Sequence, residues 1–207
     1  MSLGLHLRRR LVAQFGHPRG FLGRVVGWTM SLRASNVARN RWTVALLAVE
    51  PEHRVLEVGF GPGIGIAALA ERAHRGIVVG MDHSEAMLRQ AKRRNRAAIR
   101  AGRVRLEIGT YEDLPPFEAP FDRIMAVNAL LFSEDPGSVV RRLRERLRPG
   151  GQLAVTFQSR ARRANDADSR RGGEKLAMLF REAGLEDVRL ETLPLRPNAA
   201  VCVLGSR

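Results

Sequence analysis

The amino-acid sequence predicts an α/β protein: a doubly wound, seven-stranded mixed sheet with an antiparallel last strand, plus an N-terminal helical extension. Three observations carry that expectation. From residue 54 onward, short apolar runs alternate with segments of helical period, the pattern of a parallel sheet covered by helices. The first apolar run ends in a cluster of glycines. The last two runs have no helix between them, so they must pair as an antiparallel hairpin.

Residues 1–50 are expected to form the extension. Gly16, Pro18, Gly20, Gly23 and Gly27 punctuate it. Val37, Trp42, Ala45, Leu46 and Val49 then recur at near-helical spacing until Pro51. Residues 51–207 form the main domain. RVLEVGF (54–60) is a strand, and IGIAALAERAH (64–74) a helix. GIVVGMD (76–82) is a buried strand closed by an acid. SEAMLRQAKRRNRAAI (84–99) is one long helix with Ser84 as its N-cap. VRLEIGT (104–110) and FDRIMAVNAL (121–130) are the next strands. The helix in 135–151 is stopped by Pro149 and two glycines. QLAVTFQ (152–158) is a strand, 159–173 a polar loop, and EKLAMLFREAGL (174–185) a helix. EDVRLETL (186–193) and AAVCVLG (199–205) complete the sheet. Ligands of such sheets bind beyond the carboxyl ends of the strands. That rule gathers 59–65, 82–83, 110–113, 128–133 and 157–172 around one crevice.

The 207 residues are enough for one domain with a substantial core. Cys202 is the one cysteine, so neither an internal disulfide nor a Cys-x-x-Cys metal site can form; it reads as a small buried hydrophobe. The formal net charge is +14, carried almost wholly by arginine, with Lys92 and Lys175 the only lysines. Such a balance attracts anions, nucleic acid among them. No apolar run is long enough to span a membrane. The N-terminus also lacks the pattern of a secretory signal, so a cytoplasmic protein is expected.

The sharpest signal is Glu57-Val58-Gly59-Phe60-Gly61-Pro62-Gly63-Ile64-Gly65, placed between a strand and a helix. Glycines there let the backbone turn tightly and approach a ligand. Asp82, at the end of the next strand, can accept both hydroxyls of a ribose. A pyrophosphate site needs Gly-x-Gly-x-x-Gly, and neither register fits. A phosphate-cradling loop would need Gly-Lys-Ser/Thr, and the turn has no lysine. An acid two residues before the first glycine suits a cationic amino group better than a phosphate.

With these residues in view, the turn resembles the cofactor turn of the class I S-adenosylmethionine-dependent methyltransferases, a Rossmann-like family. VVGMDHSEAML, GTYEDLPPF, FDRIMAVNALLF and LRPGGQLAV resemble that family's further stretches in the same order. The likeness runs over roughly residues 50–205. It implies S-adenosyl-L-methionine as cofactor. Gly59, Gly61 and Gly63 would pass under the methionyl part, with Glu57 supporting its amino end and Asp82 holding the ribose. His83 and Met87 would pack near the adenosine, Thr110 and Tyr111 would border adenine, and Asn128 would lie near the sulfonium. Thr110 stands where the family commonly has Asp.

The acceptor side falls outside that pattern. Trp28, Met30, Asn36, Asn40, Leu131, Phe132 and Phe157 are the expected substrate-binding residues, and their mix of apolar groups and amides suits a small, partly apolar acceptor. His17 is the candidate base. His53 and His74 are expected at the surface. The extension is either a lid over the crevice or a contact in a homodimer. The alternative reading, an RNA or DNA methyltransferase, rests on the basic charge; the Asn/Asp-Pro-Pro-aromatic signature of many base-amino methylases is absent.

Overall fold

A computed structural model describes residues 34–110, 114–130, 133–159 and 164–207. In chain order the elements are α1 (Ala34–Leu46), β1 (Arg54–Val58), α2 (Ile64–Arg72), β2 (Ile77–Asp82), α3 (Glu85–Arg94), α4 (Arg96–Arg100) and β3 (Val104–Ile108). There follow β4 (Phe121–Val127), α5 (Pro136–Glu145), β5 (Leu147–Phe157), α6 (Asp166–Glu182), β6 (Glu186–Leu193) and β7 (Ala200–Ser206). The seven strands form one sheet in the order β3-β2-β1-β4-β5-β7-β6. β7 is antiparallel to both its neighbours, and the other pairings are parallel.

The apolar runs are continuous because both faces of the sheet are covered. Side chains of a strand alternate between faces, and the two cores divide accordingly. Leu56, Val79, Ile124, Ala126, Leu153, Val155 and Val203 share one core with Val140 and Leu143 of α5 and Phe180 of α6. Val55, Val78, Met125, Ala154, Cys202 and Leu204 share the other with Val44 of α1, Ile66 and Leu69 of α2, and Met87 of α3. Cys202 is fully buried, and burial pushes its thiol up to about 12. The edges differ. β3 exposes Arg105 and Ile108, and β6 exposes Glu186, Asp187 and Arg189 on a strand whose register shifts between Glu186 and Arg189.

Four sequence expectations are corrected. The helix of 84–99 divides at Asn95, whose buried amide donates to Ala91 O and across to Gly63 O. The helix before Pro149 ends earlier, at Glu145, because Leu147 already pairs with Phe121 and Phe121 N–H donates to Arg146 O. His53 is buried rather than superficial: its Nδ1 accepts the Glu50 N–H at 3.0 Å, closing the turn before β1. Within the expected polar loop of 159–173, α6 begins at Asp166, more than two turns ahead of the expected start.

The last difference has a local cause. Asn165 caps α6 by accepting the Asp168 N–H at 3.0 Å, and the Asp168 carboxylate accepts the Asn165 N–H at 2.9 Å. This reciprocal cap satisfies two backbone donors and outweighs the polarity of the segment. Asn165→Ala should cost about 1 kcal/mol, read as a lowered midpoint in urea with unchanged slope.

Candidate active site

The carboxyl ends of β1, β2, β4 and β5 are brought level by the sheet register: Val58 pairs with Met81 and Ala126, and Val127 pairs with Thr156. The chain reverses its direction of winding between β1 and β4, so a crevice opens there. The glycine turn occupies its floor.

The glycines are needed for different reasons. Gly59 has φ +73°, its N–H donates to Met81 O at 2.8 Å, and a Cβ on it would collide with Ala129 Cβ. Gly61 has φ +52°, yet a Cβ there would meet nothing of the described residues within 4 Å. Gly63 starts α2 under close cover, 2.7 Å from Ala91 Cβ and Asn95 Nδ2 for an added Cβ. Arg94 Nε donates to Pro62 O at 3.0 Å and ties the turn to α3. The turn is therefore fixed on its inner sides and open above Gly61.

Two carboxylates underlie this opening. Asp82 accepts the Gly61 N–H on Oδ2 and the Ser84 N–H on Oδ1, each at 2.8 Å. Ser84 in turn accepts the Met87 N–H as the N-cap of α3. Glu57 is 1% exposed and sits against the first turn of α2, where the Ile66 N–H meets it. Its Oε2 has no hydrogen-bond partner among the described residues. Burial first, and then the Asp82 charge, hold the Glu57 carboxyl well above the usual carboxylate range. Asp82 is raised too, chiefly by burial, with the Ser84 and Gly61 amides and His83 opposing. Among the described residues the ion pairs give Asp82 only His83, at 3.9 Å, and Glu57 none.

The raised Glu57 has a signed consequence. A carboxyl whose folded pKa exceeds its unfolded value stabilises the fold below the usual carboxylate range. That contribution is lost as pH rises through the raised native value. The ligand-free protein should therefore melt lower at neutral than at mildly acidic pH. Glu57→Gln should flatten this slope and raise the neutral-pH melting temperature, by roughly 2–4 °C for each kcal/mol relieved. A differential scanning calorimetry series over pH checks it; equal slopes in both proteins would count against a buried, strained carboxyl.

On the other side of the crevice, β4 ends in Asn128, which holds φ +55°. Its N–H donates to Thr156 O, and its Oδ1 accepts the Gln158 N–H, both at 2.8 Å. Gln158 Oε1 accepts from Arg39 of α1, and Gln158 Nε2 donates to Asn198 O at 2.6 Å. Asn36 and Asn40 lie beside Arg39, all three buried. One chain of hydrogen bonds thus joins α1, the end of β4, the end of β5 and the loop before β7.

This fold, with its glycine turn and acid-closed second strand, can be set beside known proteins. Residues 55–151 match the family described as "Methyltransferase domain". The chain is 30% identical over 183 residues to YdaC of Bacillus subtilis, an uncharacterized methyltransferase, covering 88% of this chain and 98% of that protein. The chain belongs to the class I S-adenosylmethionine-dependent methyltransferases. A shorter match, 36% identical over 111 residues, is to the trans-aconitate 2-methyltransferase of Deinococcus radiodurans, covering 54% of this methyltransferase and 40% of that one. In fold, the methyltransferase is similar to the N-methyltransferase NodS of Bradyrhizobium japonicum, solved with S-adenosyl-L-homocysteine. The TM-score is 0.69 at 16% identity, over 87% of this chain and 91% of that one.

Of the sequence-predicted residues, the methyltransferase brings Glu57, Gly59, Gly61, Gly63, Asp82 and Asn128 to one crevice. Met87 is buried beneath it, while His83 and Thr110 are exposed. Phe157 ends β5, its ring filling the space that a side chain at Gly172 would need. Asn36 and Asn40 lie in the α1 network. His17, Trp28, Met30, Tyr111, Leu131 and Phe132 lie outside the described residues. Sequence reasoning missed Arg39, Gln158 and Asn198, polar residues whose only signal is burial, which no local pattern reveals. No helix among the described residues is long and apolar enough to cross a membrane.

Proposed function

We propose that the chain binds S-adenosylmethionine in the glycine-turn crevice and transfers its methyl group to a small-molecule acceptor held at the carboxyl ends of β4 and β5. The observation that carries the donor assignment is the pair of buried carboxylates, Glu57 and Asp82, with no arginine on either among the described residues. With no cation beside them, burial disfavours the charged forms of both carboxyls; a cationic ligand would offset that penalty, whereas a pyrophosphate would add to it. When bound, this donor supplies an activated methyl group on a positively charged sulfur.

The chain's own groups bind and orient. Asp82 takes the ribose hydroxyls, Glu57 faces the cationic end, and the backbone at Gly59, Gly61 and Gly63 forms the floor. Met87, with His83 and Thr110, borders the adenosine. Asn128, clamped by Gln158, stands between donor and acceptor. Asn36, Asn40 and Phe157 lie on the acceptor side. A small acceptor is supported by the trans-aconitate enzyme among the relatives. It is also supported by a mostly apolar cavity of about 260 Å³ beside Asn128, close to the scale of small-molecule sites.

Isothermal titration with S-adenosylhomocysteine and, separately, NADH tests the donor. Binding of the former alone is expected, and binding of NADH alone would overturn the proposal. For the acceptor, S-adenosylhomocysteine release is measured with small molecules and with RNA across a salt series. Turnover of a small acceptor should change little with salt. Turnover confined to RNA and falling steeply with salt would replace the small-molecule reading.

A further inference from the structure

The cavity beside Asn128 has a chemistry of its own. Apolar side chains make most of its wall: Leu130 and Val155 from the sheet side, Leu176 and Leu179 from α6. Gly172, Lys175, Leu176 and Leu179 all line it, and their spacing of three, four and seven residues is one face of a helix. Lys175 thus stands in an otherwise apolar stripe, and among the described residues it is the only charged one on the wall.

Its neighbours on α6 leave it uncommitted. Glu174 pairs with Arg170 at 3.5 Å, and Asp168 pairs with Arg171. Asp166 accepts the Ala199 N–H at 2.7 Å. Lys175 makes no ion pair among the described residues. An ammonium at the edge of an apolar cavity, with no acid to answer it, complements an anion with an apolar body.

The cavity also adjoins the donor crevice. Ala129 touches the glycine turn at Gly59, while Asn128 and Leu130, on either side of it, line the cavity. A cavity of about 260 Å³ suits a molecule of modest size. The geometry points to a binding site for a small apolar carboxylic acid, its hydrocarbon part against Leu130, Val155, Leu176 and Leu179 and its carboxylate at Lys175. This deepens the small-molecule reading above and rests on it for the site's role as the acceptor pocket.

The test uses the full chain saturated with S-adenosylhomocysteine and two probes of equal length, octanoate and 1-octanol, titrated calorimetrically. Wild type should bind octanoate about tenfold more tightly than octanol, as one charge-assisted contact provides. Lys175→Met should bring the two together, Lys175→Glu should reverse the preference, and Lys175→Arg should keep it. Leu179→Trp, which fills the cavity, should remove both. Equal binding of the two probes to wild type, no binding of either, or an octanoate preference that survives Lys175→Glu would overturn the proposal. The last of these marks general attraction to a basic protein. Failure of S-adenosylhomocysteine to bind wild type would instead strike the donor assignment, so the two failures are read separately.

Discussion

Asp82→Ala is expected to weaken S-adenosylhomocysteine binding by about 100-fold, on the order of 3 kcal/mol for hydrogen bonds to a charged group. The carboxylate already works within the protein. Each oxygen accepts one backbone N–H, from Gly61 and from Ser84, and each keeps a further lone pair toward the crevice. Removing it frees the turn from the start of α3 as well as losing the ribose contact. Asp82→Asn should be nearly as damaging. An amide has one oxygen, so its NH₂ must confront either the Gly61 or the Ser84 donor. Titration calorimetry reads the affinity and circular dichroism the fold. Affinity within about threefold of wild type for both variants would show that Asp82 does not hold the ligand.

The second large effect separates two glycines that look alike in the sequence. Gly59→Ala places a Cβ at positive φ and drives it into Ala129. Left-handed backbone costs about 1–2 kcal/mol, and overpacking a further 1–3. A fall in melting temperature of roughly 10 °C follows for a domain of this size. Gly61→Ala incurs only the backbone cost, about 1 kcal/mol, because its Cβ enters space left open by the described residues. That space is where the donor is proposed to lie. Gly61→Ala should therefore melt within a few degrees of wild type, about 3 °C below it, yet bind S-adenosylhomocysteine more than about tenfold worse. If Gly61→Ala binds normally, the open space above the turn is not the donor's place.

Much of the architecture was legible because it depends on short-range patterns. Runs such as RVLEV and IVVGMD are apolar on both faces, which only a covered parallel sheet explains, and the missing crossover between 193 and 199 required the hairpin. Ser84 was readable as an N-cap for the same local reason. The failures have a common source in contacts between distant residues. Asn95 breaks its helix to reach Gly63, and His53 is buried by a turn that no periodicity marks. Asn165 starts α6 inside a stretch whose composition reads as loop, because a cap outweighs polarity. At the site, Glu57, Asp82 and the glycines could be found in one contiguous pattern. Arg39, Gln158 and Asn198 could not, since they lie on α1, just after β5 and just before β7, and acquire meaning only when the sheet brings those segments together.

The two edges of the sheet limit how the enzyme can associate. A free strand edge is a template onto which another polypeptide can add, hydrogen bond by hydrogen bond. Here the apolar strands, β1, β2, β4, β5 and β7, are all interior. The outer strands carry the charges: Arg105 and Glu107 on β3, and Glu186, Asp187, Arg189 and Glu191 on β6. The shifted register near Asp187, which itself has φ +50°, bends β6 away from a straight template. Charge on both edges, and the shifted register on β6, disfavour the addition of a further strand to the sheet.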